Sequence, residues 1–295
     1  MKYYIFLVLA VLFWSGNFIF GRLISSSVEP LQLSFFRWFF VFILLLPYML
    51  IHKQRLINSL KKDFRILFLF GALGVAGFNT LLYYGLQTTT ATNALLINSS
   101  TPIFIIVLSA ILLKVKITKI QSLGVLLSSI GVLYLILKGS LVTLLTLEFT
   151  QGDLWIILAC LDWALYCILL KFKPKDLNAF DFLSITTFIG IVILYILFTL
   201  QGFSFEFSFV SSDEVLYSLM YMVIFPSLLS FYFWNESTIA IGANKAGQFT
   251  HLMPIFGAIL AFLLLGERLE FYHFIGITFI AIGIYISMFY KTKVV

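Results

Sequence analysis

Apolar residues run through this chain in ten long stretches, each closed by a short cluster of charged residues, glycine or proline. An α-helix rises about 1.5 Å per residue, so roughly 20 apolar residues cross the hydrocarbon core of a bilayer. On that basis ten transmembrane helices are predicted, at 3–24, 31–51, 66–87, 93–113, 120–138, 153–170, 180–200, 214–234, 243–265 and 270–290. The connections are too short to hold a soluble domain. The first stretch begins like a signal peptide, with Lys2 ahead of an apolar run, but it continues to Ile24 and is read as a span. The predicted fold class is an all-α polytopic membrane protein.

A second pattern lies over the first. Pro102, Gly124 and Gly131 recur as Pro254, Gly276 and Gly283 at a constant offset of 152 residues. Ala94, Phe104, Leu112 and Leu113 recur at the same offset as Ala246, Phe256, Leu264 and Leu265. Ala10 and Trp14 match Ala159 and Trp163 at an offset of 149, so loops absorb the difference. Five predicted spans separate the copies, and an odd number turns the second copy upside down. Two inverted five-helix repeats are expected, at 1–148 and 149–295. Inverted repeats are the sequence mark of a membrane transporter.

Composition agrees with a membrane protein. The 295 residues are 61% hydrophobic and 11% charged, with mean hydropathy +1.06, against about 25% charged in soluble domains. A net charge of +6 raises the question of nucleic acid. No continuous basic face carries that charge, so no nucleic-acid partner is expected and the bilayer accounts for it. With the N-terminus in the cytoplasm, fourteen cations fall inside: Lys2, Lys53, Arg55, Lys61, Lys62, Arg65, Lys114, Lys116, Lys119, Lys171, Lys173, Lys175, Lys291 and Lys293. Only Arg22, Lys138 and Arg268 fall outside. The positive-inside rule then places both termini in the cytoplasm, in a multi-pass cytoplasmic (inner) membrane protein. The basic connection Lys114-Val115-Lys116 lies inside and its copy, Gly266-Glu267-Arg268, outside, as inversion requires.

Polar groups within spans point to the chemistry, because charge in hydrocarbon costs roughly 2.5–3.5 kcal/mol on insertion scales. The first span carries Trp14-Ser15-Gly16-Asn17. Trp14 and Asn17 either line a substrate cavity or bind a neighbouring helix. Arg37, in the second span, has a fork that fits a carboxylate, or it pairs with an acid or with carbonyls inside the bundle. Asp162 is the one acid at the centre of a predicted span and is expected to pair with Lys245 or Arg37, or to carry a proton or meet an ammonium group. In the ninth span Asn244, Gln248 and His251 fall on one helical stripe, with Lys245 beside it and Pro254 after it. The copy of that stretch carries Asn93, Asn98, Ser99 and Thr101 before Pro102. Polar groups ahead of a helix-loosening proline, in both halves, are expected to form a midplane cavity with Pro102 and Pro254 as hinges. Tyr83, Tyr84 and Trp234 either stack on an aromatic or cationic substrate or, the reading preferred for rings near helix ends, form an interfacial belt. Cys160 and Cys167 are read as packing residues, and His52, His251 and His273 show no metal-ligand spacing.

Neither a phosphate-binding Gly-x-x-x-x-Gly-Lys loop nor a His-Glu-x-x-His or Gly-x-Ser-x-Gly motif occurs. No cofactor, no metal and no enzymatic activity are expected. The chain resembles the drug/metabolite transporter superfamily, specifically its EamA-type ten-helix exporters. In the first half the resemblance rests on Phe13-Trp14-Ser15-Gly16-Asn17-Phe18, Phe36-Arg37-Trp38, Ala91-Thr92-Asn93-Ala94 and Ser100-Thr101-Pro102-Ile103-Phe104. In the second it rests on Asp162-Trp163-Ala164-Leu165-Tyr166, Pro254-Ile255-Phe256-Gly257-Ala258 and Leu265-Gly266-Glu267-Arg268-Leu269. It implies a central cavity lined by the first four helices of each repeat, with Trp14, Asn17, Arg37 and Trp163 at or near the pathway. It also implies export of small organic solutes, amino-acid-like or drug-like, by alternating access. Proton coupling through Asp162 is one expected drive. A polytopic enzyme acting on a lipid-linked substrate, with Glu236, Glu267 and His273 as its candidates, is one alternative. A non-transporting sensor or accessory subunit is the other.

Overall fold

The computed structural model describes residues 1–24, 26–89, 91–145, 148–206, 210, 212–265 and 270–289. The described residues form helices and turns and contain no strand. Spans one to three are Lys2–Leu23, Pro30–Ile51 and Phe64–Thr88. The fourth is Ala91–Asn98 followed by Thr101–Leu113, and the fifth is Lys119–Ile136. Spans six to eight are Gln151–Phe172, Ala179–Leu200 and Asp213–Ile241. The ninth is built of three consecutive pieces, Ala243–Gly247, Gln248–Leu252 and Met253–Leu265, and the tenth is Phe271–Phe289. The predicted turn Gly266-Glu267-Arg268 and the tail cations Lys291 and Lys293 lie outside the described residues.

Two boundaries differ from expectation for a physical reason. The eighth span runs to Ile241 rather than 234, because its polar end is satisfied by neighbours. Asn235 accepts a 2.8 Å bond from Tyr166 Oη, and Ser237 donates to the Tyr3 carbonyl. The predicted loop after the second span is instead a helix, Lys53–Lys62, with Leu56 buried and its cations outward. Arg55 anchors it to Asp181, 2.6 Å away, and Lys62 to Asp176 at 2.9 Å. The hydrogen bond that Arg55 donates to Asp181 pushes the Arg55 pKa above its ordinary value.

The repeat glycines meet face to face. A Cβ on Gly124 would stand 2.6 Å from the Gly283 carbonyl oxygen, and one on Gly131 would stand 2.8 Å from that of Gly276. Numbers rise along the fifth span as they fall along the tenth, so the two helices are antiparallel. Gly276 and Gly283 are the copies of Gly124 and Gly131, so exchanging the repeats maps this contact onto itself. That operation is a two-fold axis across the helices, in the membrane plane, and it defines inversion. Glycine is required on both sides because backbone touches backbone.

The same offset governs irregular backbone. The third span carries a π-helical turn at Gly71–Gly77 and the eighth carries one at Val223–Leu229, again 152 residues apart. Such turns leave carbonyls without their usual partners. Ser227 Oγ donates to the Met222 carbonyl and Ser230 Oγ to that of Phe225, which repairs the second π-turn. Pro102 and Pro254 both stand at the start of a half-helix, where a missing N–H costs nothing.

Gly131→Val is expected to destabilise the protein by about 1–3 kcal/mol or more, because backbone cannot yield to the new side chain. Gly257→Ala, with no atom within 4 Å of its new methyl, is expected to be neutral or stabilising by up to ~1 kcal/mol. Thermal unfolding of the detergent-purified protein measures both.

Candidate functional site

Five spans converge on a central chamber. Its walls include Trp14 and Asn17 from the first span, Asn79 from the third, Asn98 and Thr101 from the fourth, Trp163 from the sixth and Thr250 from the ninth. Trp14, Asn17, Asn98 and Trp163, scattered in sequence, are thus brought together. The chamber has a volume of about 10 Å³, enough for roughly one water molecule. It is closed in this conformation.

Aromatic rings form one side of it. Trp14 meets Trp163 edge-on at 5.1 Å and Trp234 at 5.0 Å, and Trp163 stacks on Tyr166 at 5.0 Å. Their polar atoms are engaged: Trp14 Nε1 donates to the Pro226 carbonyl at 2.9 Å, and Trp234 Nε1 donates to Cys167 Sγ at 3.3 Å. The belt expectation is corrected for Trp234 and Tyr83, which are 0% and 3% exposed. Both are buried because a partner for the polar end lies inside the bundle. Tyr84 sits at the helix end, bonded to Gln201.

Below the aromatic side, at the basic face, lies a vestibule of about 360 Å³, within the size range of small-ligand sites. Lys171, Asn244, Lys245 and Gln121 line it together with Cys167 and Ile168. Cys167 is one helical turn from Trp163, so vestibule and chamber are separated by a single layer of side chains. Trp234 belongs to that layer, since it touches both chamber tryptophans and Cys167.

On the other side of the chamber Arg37 organises the polar groups. It is fully buried, and no acid is among its partners. Its Nε donates to Ser227 Oγ at 2.5 Å, and its Nη1 donates to Asn17 Oδ1, Asn79 Oδ1 and Tyr83 Oη at 3.0, 2.9 and 2.6 Å. Four spans are tied by one guanidinium. Asn79, Tyr83 and Ser227 were not recognised in sequence as its partners. Asn79, an amide within an apolar span, was the available signal.

Further toward the opposite face, Asp153 closes the bundle. It is fully buried and accepts from Thr89 Oγ1, from Asn93 Nδ2 at 3.4 Å and from the Thr150 backbone N–H at 2.6 Å. These bonds join the ends of the third, fourth and sixth spans. Among the described residues, Asp153 thus bonds three spans together at this face, while a vestibule opens at the basic face.

The expected pairing of Asp162 with Lys245 or Arg37 is absent; among the described residues the ion pairs are Arg55–Asp181 and Lys62–Asp176. Lys245 lies in the vestibule and Arg37 faces amides across the chamber. Asp162 fits instead against the third span, where Gly77 leaves room: a Cβ there would be 2.5 Å from Asp162 Oδ1. Its Oδ2 is buried without a hydrogen-bond partner.

The expected stripe of the ninth span is also divided. Gln248–Leu252 is a 3₁₀ helix, whose residues advance about 120° each rather than 100°. Asn244 and Lys245 face the vestibule, whereas His251 points into the seam with the fourth and fifth spans. There its Nε2 donates to the Ser99 carbonyl at 3.0 Å, and Nδ1 lies 2.7 Å from Ser128 Oγ. Gln248 is fully buried, and neither end of its amide has a partner.

An inverted ten-span bundle with a midplane chamber between its repeats defines the class: a polytopic membrane transporter. The chain belongs to the EamA-like transporter family, within the drug/metabolite transporter superfamily; the family model matches it twice, over residues 1–137 and 150–289. Similarity to a Bacillus subtilis (strain 168) protein named uncharacterized transporter YyaM reaches 32% identity over 229 residues, 77% of this chain and 74% of that one. A second protein of that strain, uncharacterized transporter YetK, is 29% identical over 99% of this chain and 88% of its own length. A solved crystal structure shares the fold with a TM-score of 0.77 over 97% of this chain and 96% of that one, at 16% identity.

Tyr83→Phe and Ser227→Ala each remove an acceptor from a buried guanidinium. Each is expected to lower unfolding stability by about 1–3 kcal/mol, measured by thermal or denaturant unfolding in detergent.

Proposed function

We propose that the protein is a secondary transporter that moves small organic solutes across the cytoplasmic membrane by alternating access, with both termini in the cytoplasm. The carrying observation is the asymmetry of access: a vestibule of about 360 Å³ at the basic face and bonded closure by Asp153 at the other. The cation bias of the connections assigns the basic face to the cytoplasm, so this conformation faces inward. In an inverted repeat the opposite state arises when the halves exchange conformations. Opening outward requires release of Asp153 and formation of an equivalent closure around Gly242 and the ninth-span start. Gly242 supports this: its φ of 88° and its open surroundings suit a hinge between the eighth and ninth spans.

Solute moves between vestibule and chamber past Trp234, and the ring faces of Trp14 and Trp163 suit an apolar or aromatic body. Asp162 is the group proposed for proton coupling, because one of its carboxylate oxygens is buried and unbonded beside the π-turn of the third span. Its protonation would change the contact between the third and sixth spans.

Counterflow in proteoliposomes, across a panel of amino acids, organic acids and organic cations, tests the transport reading; absence of flux with every class removes it. Asn17→Ala and Gln248→Ala are expected to change apparent solute affinity while inserting normally. Asp162→Asn is expected to abolish flux driven by a pH gradient and to leave solute exchange intact. Unchanged pH-driven flux in that variant removes Asp162 as the coupling site.

A further inference from the structure

The helix Lys53–Lys62 lies between the end of the second span at Ile51 and the start of the third at Phe64. That places it at the membrane boundary, on the basic face. Leu56, Ile57 and Leu60 recur in it at helical spacing and form one apolar stripe. Lys53 stands three residues before Leu56 and four before Ile57, so the stripe begins with a cation.

The stripe does not close on the bundle. Between it, the second span and the seventh lies an apolar groove of about 250 Å³. Leu46 and Met49 of the second span, Phe188 of the seventh, and Ile57 and Leu60 of the helix wall it. Among the described residues, Lys53 is its one polar lining side chain. Leu50 and Ile57, which also face it, remain exposed although apolar. Two ion pairs, Arg55–Asp181 and Lys62–Asp176, hold the helix beside the seventh span and the connection before it. They engage two of its cations and leave Lys53 without an acid partner among the described residues.

We propose that this groove holds an acyl chain of an anionic phospholipid from the leaflet at the basic face, with the lipid phosphate against Lys53. The two ends of the site set the occupant. A groove without polar walls takes a hydrocarbon chain, because a polar body would lose its hydrogen bonds there. The lysine stem runs along apolar surface while its ammonium reaches the interface, where it favours a negative headgroup. No residue of the chamber or the vestibule lines the groove. The site therefore stands whether or not the protein moves solutes.

The test is native mass spectrometry of the full-length protein, released from detergent with phosphatidylglycerol or phosphatidylcholine of the same acyl chains. One lysine near an anionic surface corresponds to roughly a fivefold preference. The wild-type protein is expected to bind its first phosphatidylglycerol more tightly than its first phosphatidylcholine by about that factor. Lys53→Gln is expected to bring the two lipids level, Lys53→Glu to reverse their order, and Lys53→Arg to keep the preference. Lys61→Gln removes a charge of the same helix that does not line the groove, and is expected to keep most of it. Glycerol phosphate, which has the charge without the chain, is expected not to compete at the lipid's concentration.

Equal binding of both lipids to the wild type, an undiminished preference in Lys53→Gln, or an equal loss in Lys61→Gln would each overturn the site. Competition by glycerol phosphate would overturn it too, by showing that the chain adds nothing. A dimer that depends on Lys53 and excludes lipid would put a second copy in the groove instead.

Discussion

Inside a bilayer, every backbone group that leaves its helix must find a partner within the protein, and this constraint shapes the whole molecule. The fourth and ninth spans break at the depth of the chamber, and each break is repaired by side chains. Ser99 and Ser100 hydroxyls donate to the Leu96 and Ile97 carbonyls, and Thr250 donates to that of Gly247. One bond joins the two breaks: His251 Nε2 donates to the Ser99 carbonyl. Ser99 and His251 are 152 residues apart, so each is the other's repeat equivalent and their bond spans the two-fold axis. The irregular backbone of both halves is held together at the two-fold axis.

The π-turns of the third and eighth spans extend the same principle. They bracket the chamber, one beside Asp162 and the other beside Arg37 through Ser227. The fifth and tenth spans are different. Their glycines bring backbones into direct contact, which makes a stiff seam suited to a fixed reference for the other helices.

Charge placement follows from burial. The cations of the connections face water or anchor the Lys53–Lys62 helix, as with Arg55 and Lys62. Arg37 is sunk among neutral acceptors, and Asp162 is sunk elsewhere, against Gly77. Pairing of these two charges, natural to expect from sequence, would have left a neutral core. Their separation keeps two distinct polar sites, one against Gly77 and one among Asn17, Asn79 and Ser227.

Ten spans, their inversion and the residues Trp14, Asn17, Asn98 and Trp163 were legible in the sequence, because each rests on a local or periodic property. Apolar length measures the bilayer, an odd number of spans reverses a repeat, and polar groups in hydrocarbon announce themselves. Contacts between helices were not legible. Which acceptors surround Arg37, where Asp162 rests and why Tyr83 and Trp234 are interior depend on how each helix is rotated against its neighbours, and rotation is set by packing across the whole bundle. The ninth span shows the limit most clearly: a regular helix would carry Gln248 and His251 on one face, but a 3₁₀ turn sends His251 into the seam with Ser99 and Ser128. The sequence by itself determined how many times the chain crosses and with what symmetry. Only the tertiary structure decided which polar groups meet, because hydrogen bonds act over about 3 Å and that precision comes from packing rather than periodicity.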